Sequence, residues 1–193
     1  YEVYPEIEWI DLTGVSIQSD NSLLMDEEDD GWGTGGAATE NILYTGQEGY
    51  IMHITTSESD ERAFGLSAGN TNAHYNTIDY AFLISDDQYY IVEEGSLIGD
   101  YGGYNEDDTL RIEKLGNGEG GMQIVYWINE DNVRTVTLGG DADPLVDLVA
   151  DVSIYNYNSI FDKLYVTFEQ PLIEVSSTFS IAGDCSDGSI DLT

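Results

Sequence analysis

Short runs of β-branched and aromatic residues recur along most of this chain, separated by turn-forming clusters of Gly, Asn and Asp. Successive runs lie about 8 to 14 residues apart, a spacing typical of β-sandwiches and barrels. No long stretch has the ~3.6-residue periodicity of an amphipathic helix. The pattern predicts an all-β fold, an antiparallel β-sandwich, with strands at 7–12, 15–19, 37–43, 51–56, 78–84, 89–92, 110–114, 122–128, 133–138, 145–154 and 164–168.

Turn chemistry predicts three of the connections between these strands. Asp86-Asp87 and Glu94-Gly95 each separate two apolar runs, and the cluster 129–132 separates another pair. Such residues tolerate the backbone angles of tight hairpins. By contrast, residues 65–77 have no such compact turn, and we expect a long loop there, of the kind that often carries function.

The charge of the chain limits its partners. It has 38 Asp and Glu against 5 Lys and Arg, which gives a formal net charge of -33. Such a surface repels phosphate backbones and anionic lipids, so we expect no nucleic-acid partner and no attachment to anionic membranes. The 41% apolar content still suffices for a folded core. We interpret the acidity as an adaptation of an extracellular fold to seawater, brine or divalent cations.

The end of the chain differs in character from the rest. We predict a sandwich over residues 1–168, a linker over 169–177, and the truncated first strands of a second β module over 178–193. The single Cys185 excludes an internal disulfide framework and a zinc site with the usual Cys spacing. No apolar run approaches the ~18 residues of a membrane span, and no signal peptide opens the chain, so we expect no membrane insertion.

Several motifs resemble a known family. They are GWGTGGAA at 31–38, GYI at 49–51, FGLSAGNTNAHYNTIDYA at 64–81, VEEG at 92–95, GDYGGY at 99–104 and LRI at 110–112. In this order, over about residues 9–168, they resemble a concanavalin-like, lectin-like jelly-roll module of large secreted surface proteins, especially of Bacteroidota. The resemblance implies an extracellular, cell-surface location, and glycans or other cell-surface material as partners.

A second resemblance lies at the end of the chain. The string DCSDGSIDLT at 184–193 is similar to the opening of the SprB-type repeat of gliding-motility adhesins. The resemblance implies type IX secretion and neighbouring modules of the same long chain as partners. It also implies that Cys185 pairs with a second Cys beyond residue 193.

The long loop supplies the first candidate site. Amide, imidazole and phenol groups on a jelly-roll rim can bind sugar hydroxyls while an aromatic face packs against the sugar ring. The alternative is that Asn and Gly are present for backbone geometry and Asx-turns. The candidate ligand-binding residues are Asn70, Asn72, His74, Tyr75 and Asn76, together with Trp32 and Tyr104.

An acidic cluster supplies a second candidate, for Ca²⁺. Asp26, Glu28 and Asp30 place carboxylates at alternate positions, as in the first half of a calcium-binding loop. The twelfth position is Ala37, which lacks the expected carboxylate. A solvated acidic turn is the alternative, and the use of Ca²⁺ as a cofactor stays open.

Catalysis has no clear signature in the sequence. No nucleophile elbow, phosphate loop or dinucleotide fingerprint is present, and His53 is expected to be a packing residue within a strand. We therefore predict a non-enzymatic adhesin module that binds glycans weakly at its rim. The alternatives are a structural spacer in a surface filament and a glycoside hydrolase-like domain, which would need two carboxyl groups across a groove.

The five cations are expected to compensate local charge. Arg111 should clamp the preceding turn at Asp107 or Asp108, and Arg134 lies across a turn from Glu130 and Asp131.

Overall fold

The computed structural model describes residues 3–56, 60–103, 105–139 and 145–169. These residues form mainly β-strands, with a single turn of 3-10 helix at Tyr75–Thr77. The strands are β1 (Trp9–Thr13), β2 (Val15–Ile17), β3 (Leu23–Met25), β4 (Gly35–Leu43), β5 (Gly49–Ile54), β6 (Arg62–Ser67), β7 (Tyr80–Ser85), β8 (Gln88–Glu93), β9 (Ser96–Gly103), β10 (Thr109–Gly116), β11 (Met122–Ile128), β12 (Asp131–Thr137), β13 (Leu148–Ile154), β14 (Ile160–Phe161) and β15 (Leu164–Val166).

Two antiparallel sheets make up the body of the protein. The seven-stranded sheet has the order β1-β4-β13-β6-β7-β8-β9, and the five-stranded sheet has the order β12-β11-β10-β5-β15. A small third sheet has the order β14-β3-β2. The predicted fold class, an all-β antiparallel sandwich, is confirmed. Within the described ranges, no helical segment is long and apolar enough to cross a bilayer.

The core lies between the two large sheets because alternate side chains of each strand point inward. Phe82 and Ile84 on β7 and Ile112 on β10 have 0% exposure. Phe82 meets Tyr126 of β11 edge to face, with ring centroids 5.5 Å apart and the planes at 88°. This contact joins the two sheets through an arrangement that aromatic rings favour.

The predicted hairpin turns are confirmed. Asp86 and Asp87 have φ of 51° and 57°, and Glu94 and Gly95 have φ of 46° and 73°. Two central residues with positive φ are the mark of a type I′ turn, whose twist matches that of the flanking strands. Asn129, at the third predicted hairpin, has φ of 57° and follows β11 directly.

The strand prediction was incomplete. It missed β3, β6, β9 and β14, and it placed residues 65–67 of β6 in the loop. Gly65 suggested a turn, but it pairs with Ala81 and with Asp151 inside the sheet. A Cβ atom at Gly65 would lie 1.9 Å from the Tyr80 carbonyl oxygen, so close packing of strands requires this glycine. The strand predicted over 145–154 begins only at Leu148.

The predicted partner of Arg111 is wrong. Its guanidinium pairs with Glu113 on the same strand, at 3.5 Å from Nη2 to Oε2. Asp107 is instead 3.8 Å from Lys163 Nζ, and Asp108 accepts a hydrogen bond from the Tyr89 hydroxyl at 2.9 Å. Side chains alternate across a strand, and the residue two positions away on the same face is therefore a nearer partner than the preceding turn.

Arg134 also differs from the prediction. Its Nε donates to Glu93 Oε1 at 2.6 Å, and its Nη2 binds the other carboxylate oxygen of Glu93. This bidentate ion pair links β12 to β8 of the other sheet, in place of the expected local contact with Glu130 or Asp131.

Two cations are buried and bind backbone oxygens. Arg62 donates to the carbonyl oxygens of Asp60 and Ile160 at 3.0 and 3.2 Å. Lys114 Nζ donates to the Tyr44 carbonyl oxygen at 2.8 Å, and burial lowers the pKa of this lysine. Both side chains thereby satisfy backbone acceptors at the edges of the core.

The predicted linker and second module lie outside the described residues, apart from Glu169. The Glu169 carbonyl oxygen accepts a hydrogen bond from the Ile42 amide at 3.1 Å. Predictions about residues 170–193, including Cys185, therefore stay predictions.

The side chain of Asn41 ties both described ends of the sandwich to β4. Its Nδ2 donates to the carbonyl oxygens of Glu6 and Phe168, both at 3.1 Å. Its Oδ1 accepts a hydrogen bond from the Glu8 amide at 3.0 Å. Because Asn41 has 0% exposure, water cannot replace the side chain in these bonds.

We expect Asn41→Ala to destabilise the protein by about 3 kcal/mol, because it removes three hydrogen bonds and leaves their backbone partners unpaired. The melting temperature should fall by roughly 6 to 12 °C for a chain of this size. Asn132→Ala is the control, since the side-chain amide of Asn132 is exposed and, within the described residues, forms its hydrogen bonds with the Thr135 hydroxyl. Equal melting temperatures for the two variants would contradict the role given to Asn41.

Candidate functional site

Four aromatic side chains meet over the outer face of the seven-stranded sheet, where Trp32 and Tyr75 pack on a small apolar cluster. We call them the aromatic rim: Trp32, His74, Tyr75 and Tyr155. Trp32 lies 4.7 Å from Tyr75 and 5.2 Å from Tyr155 between ring centroids. His74 lies 4.8 Å from Tyr75. All four are half-buried. The structure thus brings together three predicted residues from two distant parts of the sequence and adds Tyr155, which the sequence reasoning missed.

Local hydrogen bonds hold the loops that carry the rim. The Gly31 amide donates to the Tyr155 carbonyl oxygen at 3.0 Å, and the Tyr157 amide donates to Asp30 Oδ1 at 2.6 Å. These contacts fix the β3–β4 loop, and hence Trp32, against the segment that follows β13. Gly33 has φ of 95°, and a Cβ atom there would lie 3.6 Å from the ring of His74.

The polar residues of the predicted site serve largely as local structure. Asn72 Oδ1 accepts hydrogen bonds from the His74 amide and the Thr77 hydroxyl, at 2.8 and 3.3 Å. His74 Nδ1 accepts from the Asn76 amide and caps the 3-10 helix. The neutral imidazole therefore carries its proton on Nε2, which remains available as a donor. Asn70 Oδ1 is shielded from water and has no hydrogen-bond partner among the described residues.

The other predicted residues fall into two groups. Tyr104 lies outside the described residues. Asp26, Glu28 and Asp30 are described, but they do not form a metal site. Among the described residues, no group of three or more His, Cys, Asp or Glu side chains is placed to hold a metal ion. Asp30 instead binds the Tyr157 amide. Calcium binding stays a prediction.

Beneath the rim, the loop that carries His74 packs on the outer face of the seven-stranded sheet. Ala73 is buried against this face, and its carbonyl oxygen accepts a hydrogen bond from the Ser153 hydroxyl at 2.6 Å. A Cβ atom at Gly36 would lie 2.9 Å from that of Ala73. The small residues of this face therefore allow the loop to lie directly on the sheet.

A carboxylic acid is buried under the same loop. Asp151 is 1% exposed, and its Oδ2 accepts a hydrogen bond from the Ser67 hydroxyl at 3.2 Å. The Asp79 amide donates to the same Ser67 oxygen at 3.3 Å. Burial raises the pKa of Asp151 to about 7, the Ser67 hydrogen bond opposes this shift, and the charges of Asp79 and Asp11 add to it.

His53 and Asp151 give no support to a catalytic site. Burial lowers the pKa of His53 to about 3, and its ring packs edge to face against Phe161 at 4.8 Å. The predicted packing role of His53 is therefore confirmed. Asp151 has an acidity suited to proton transfer, but at 1% exposure it cannot contact a substrate.

A cavity of about 440 Å³ lies away from the rim, between the amino-terminal segment and β14–β15. Its walls include the aromatic residues Tyr4, Trp9 and Tyr165 and the charged residues Asp20 and Lys163. The sequence reasoning missed this site. Its members are spread over more than 150 positions, and the pairing of β14 with β3 and the ring contact of Tyr4 with Tyr165 bring them together.

Comparisons with known proteins support the fold. No protein-family model matches the sequence, and no curated protein matches it either. The SPRY domain of human HERC1 is similar, with a TM-score of 0.53 and 10% identity over 86% of this chain and 100% of that chain. The PSpry domain of TRIM65 has a TM-score of 0.51 and 10% identity, over 86% and 92% of the two chains. At such identities the likeness shows a shared fold alone.

We expect Asp151→Asn to stabilise the protein increasingly as pH rises from 4 to 8. The native Asp151 stays protonated up to about pH 7, whereas in the unfolded chain it ionises near its ordinary value of 3.8. The free energy of unfolding of the parent protein therefore loses about 4 kcal/mol across this range, and the amide avoids that loss. Denaturant titrations of both proteins at pH 4, 6 and 8 measure the difference.

Asp147→Asn is the matched control. Hydrogen bonds from Thr45 lower the pKa of this exposed carboxylate. Ionised Asp147 therefore stabilises the native state above the ordinary pKa, and the substitution should destabilise the protein at pH 6 and 8. A pH-independent effect of Asp151→Asn would show that Asp151 is not buried as an acid.

Proposed function

We propose that this chain is a non-enzymatic, glycan-binding module and that the aromatic rim is its binding surface. The observation that carries the proposal is the convergence of Trp32, His74, Tyr75 and Tyr155 over the outer face of the seven-stranded sheet. Aromatic rings that remain half-exposed can pack against the apolar face of a sugar ring. The neighbouring exposed amides of Asn72 and Asn76 offer polar groups at the same surface.

The electrostatics support an uncharged ligand. The net charge of -33 disfavours polyanions, and the rim itself carries no Lys or Arg. Hydroxyl groups of a neutral sugar can donate to carbonyl and carboxylate oxygens, and the Nε2 proton of His74 can bind a sugar oxygen.

The wider context of the proposal is a secreted cell-surface adhesin. It rests on the resemblance of the motifs at 31–112 to surface jelly-roll modules and of residues 184–193 to an adhesin repeat. In a long chain of modules, weak individual binding becomes strong through effective concentration. Weak affinity in an isolated module is therefore compatible with adhesion.

The proposal is tested by native affinity electrophoresis in gels that contain mixed-linkage β-glucan, galactomannan or xylan. We expect at least one of these polysaccharides to retard the protein. Tyr75→Ala should weaken that retardation roughly tenfold, since it removes an aromatic stacking surface.

Tyr157→Ala is the control, because Tyr157 is 49% exposed and takes no part in the ring contacts of the rim. Melting curves of both variants check that each one folds. Retardation of Tyr75→Ala equal to that of the parent protein, or none in any gel, would count against the rim as a glycan site.

A further inference from the structure

The outer face of the five-stranded sheet carries a row of large side chains. Because side chains alternate along a strand and Ile51, Ile112 and Val166 point into the core, their neighbours must point outward. The register aligns these neighbours across four adjacent strands. The aligned residues are Trp127 on β11, Arg111 on β10, Met52 on β5 and Tyr165 on β15.

Ring contacts extend this row into a continuous surface. The Arg111 guanidinium carbon lies 5.0 Å from the ring centroid of Trp127 and 5.2 Å from that of Tyr50. Tyr165 lies 4.8 Å from Tyr4. We call Trp127, Arg111, Tyr50, Tyr165 and Tyr4 the aromatic belt. From β11 to β15 it crosses three strand spacings of ~4.8 Å, or about 14 Å.

The belt differs from an ordinary solvated sheet face, which carries polar residues. All of its members are half-buried, and the charge of Arg111 is balanced by Glu113 at 3.5 Å. Within the described part of the chain, Arg111 Nε and Trp127 Nε1 are shielded donors with no hydrogen-bond acceptor.

The cavity of about 440 Å³ adjoins one end of the belt, since Tyr4 and Tyr165 belong to both. Asp20 and Lys163 in its wall add an acceptor and a donor to the aromatic lining. Rings that present a flat apolar surface beside a few polar groups are typical of small-molecule sites. The belt and the cavity therefore form one surface that is open along its length and deeper at one end.

We propose that this surface is a second binding site, which holds a neutral, extended glycan chain across the belt with one end in the cavity. The balanced charge of Arg111 and Glu113, in a chain of net charge -33, favours an uncharged ligand over a polyanion. Between β11 and β15 the aromatic residues Trp127, Tyr50 and Tyr165 are spaced along about 14 Å, which suits a ligand that repeats its apolar faces along its length. The glycan class is shared with the proposed function, but the residues are different.

The test uses the full chain in affinity electrophoresis with mixed-linkage β-glucan, galactomannan and, as a polyanion, alginate. We expect a neutral polysaccharide to retard the protein and alginate to leave its mobility unchanged. Because a long polysaccharide that engages the rim and the belt of one chain together loses this advantage when either site fails, Trp127→Ala and Tyr165→Ala should each weaken binding about tenfold. Trp127→Phe should lose less, since it keeps a ring on the belt.

Control variants separate this site from the rim. Tyr157→Ala should bind as the parent protein does, and melting curves identify any variant that fails to fold. Loss of binding in Tyr75→Ala, with parent-like binding in Trp127→Ala and Tyr165→Ala, would overturn the belt and leave the proposed function standing. The opposite pattern would support the belt and count against the rim. Retardation by alginate alone, or by no polysaccharide, would overturn the neutral-glycan proposal.

Discussion

Every strand of a two-layer sandwich can bury only alternate side chains in the core, and the remaining half must be accommodated on an outer face. The rest of this structure depends on how the two outer faces meet that constraint. On the seven-stranded sheet the outward positions are small at Gly36 and Ser153, where a loop lies on them, and apolar at Leu83 and Val92, against which Trp32 and Tyr75 pack. On the five-stranded sheet they are large and aromatic, as at Trp127 and Tyr165. The two faces have therefore become different kinds of surface.

The covered face explains both the position of the rim and the acidity beneath it. Ala73 rests on the sheet, and the next residues, His74 and Tyr75, are thereby placed against Trp32. The same cover removes Asp151 from water and raises its pKa to about 7. An ionisable group under this loop makes the stability of the folded chain depend on pH.

Much of the fold could be predicted from local turn chemistry, whereas the register between distant strands could not. Asp86-Asp87 and Glu94-Gly95 specify type I′ turns within a few residues, and the hairpins followed from them. Arg111 illustrates the limit, because its contact with Tyr50 arises from the pairing of β10 with β5, two strands that are distant in sequence. Trp32 was predicted as a site residue. Its contact with Tyr155 could not be predicted, since no local pattern encodes the approach of the two loops.

The positions of the five cations explain why so much of the negative charge is left without compensation. Arg62 and Lys114 bind backbone oxygens in the interior, Arg134 joins the two sheets through Glu93, and Arg111 lies among aromatic rings. Lys163 lies 3.8 Å from the exposed Asp107, and this contact resembles an ordinary surface ion pair. Most of the positive charge therefore supports the fold, and the carboxylates of the surface repel one another with little compensation. Salt screens that repulsion but has little effect on contacts with an uncharged ligand, so the neutral-glycan binding that we propose should persist at any ionic strength that keeps the sandwich folded.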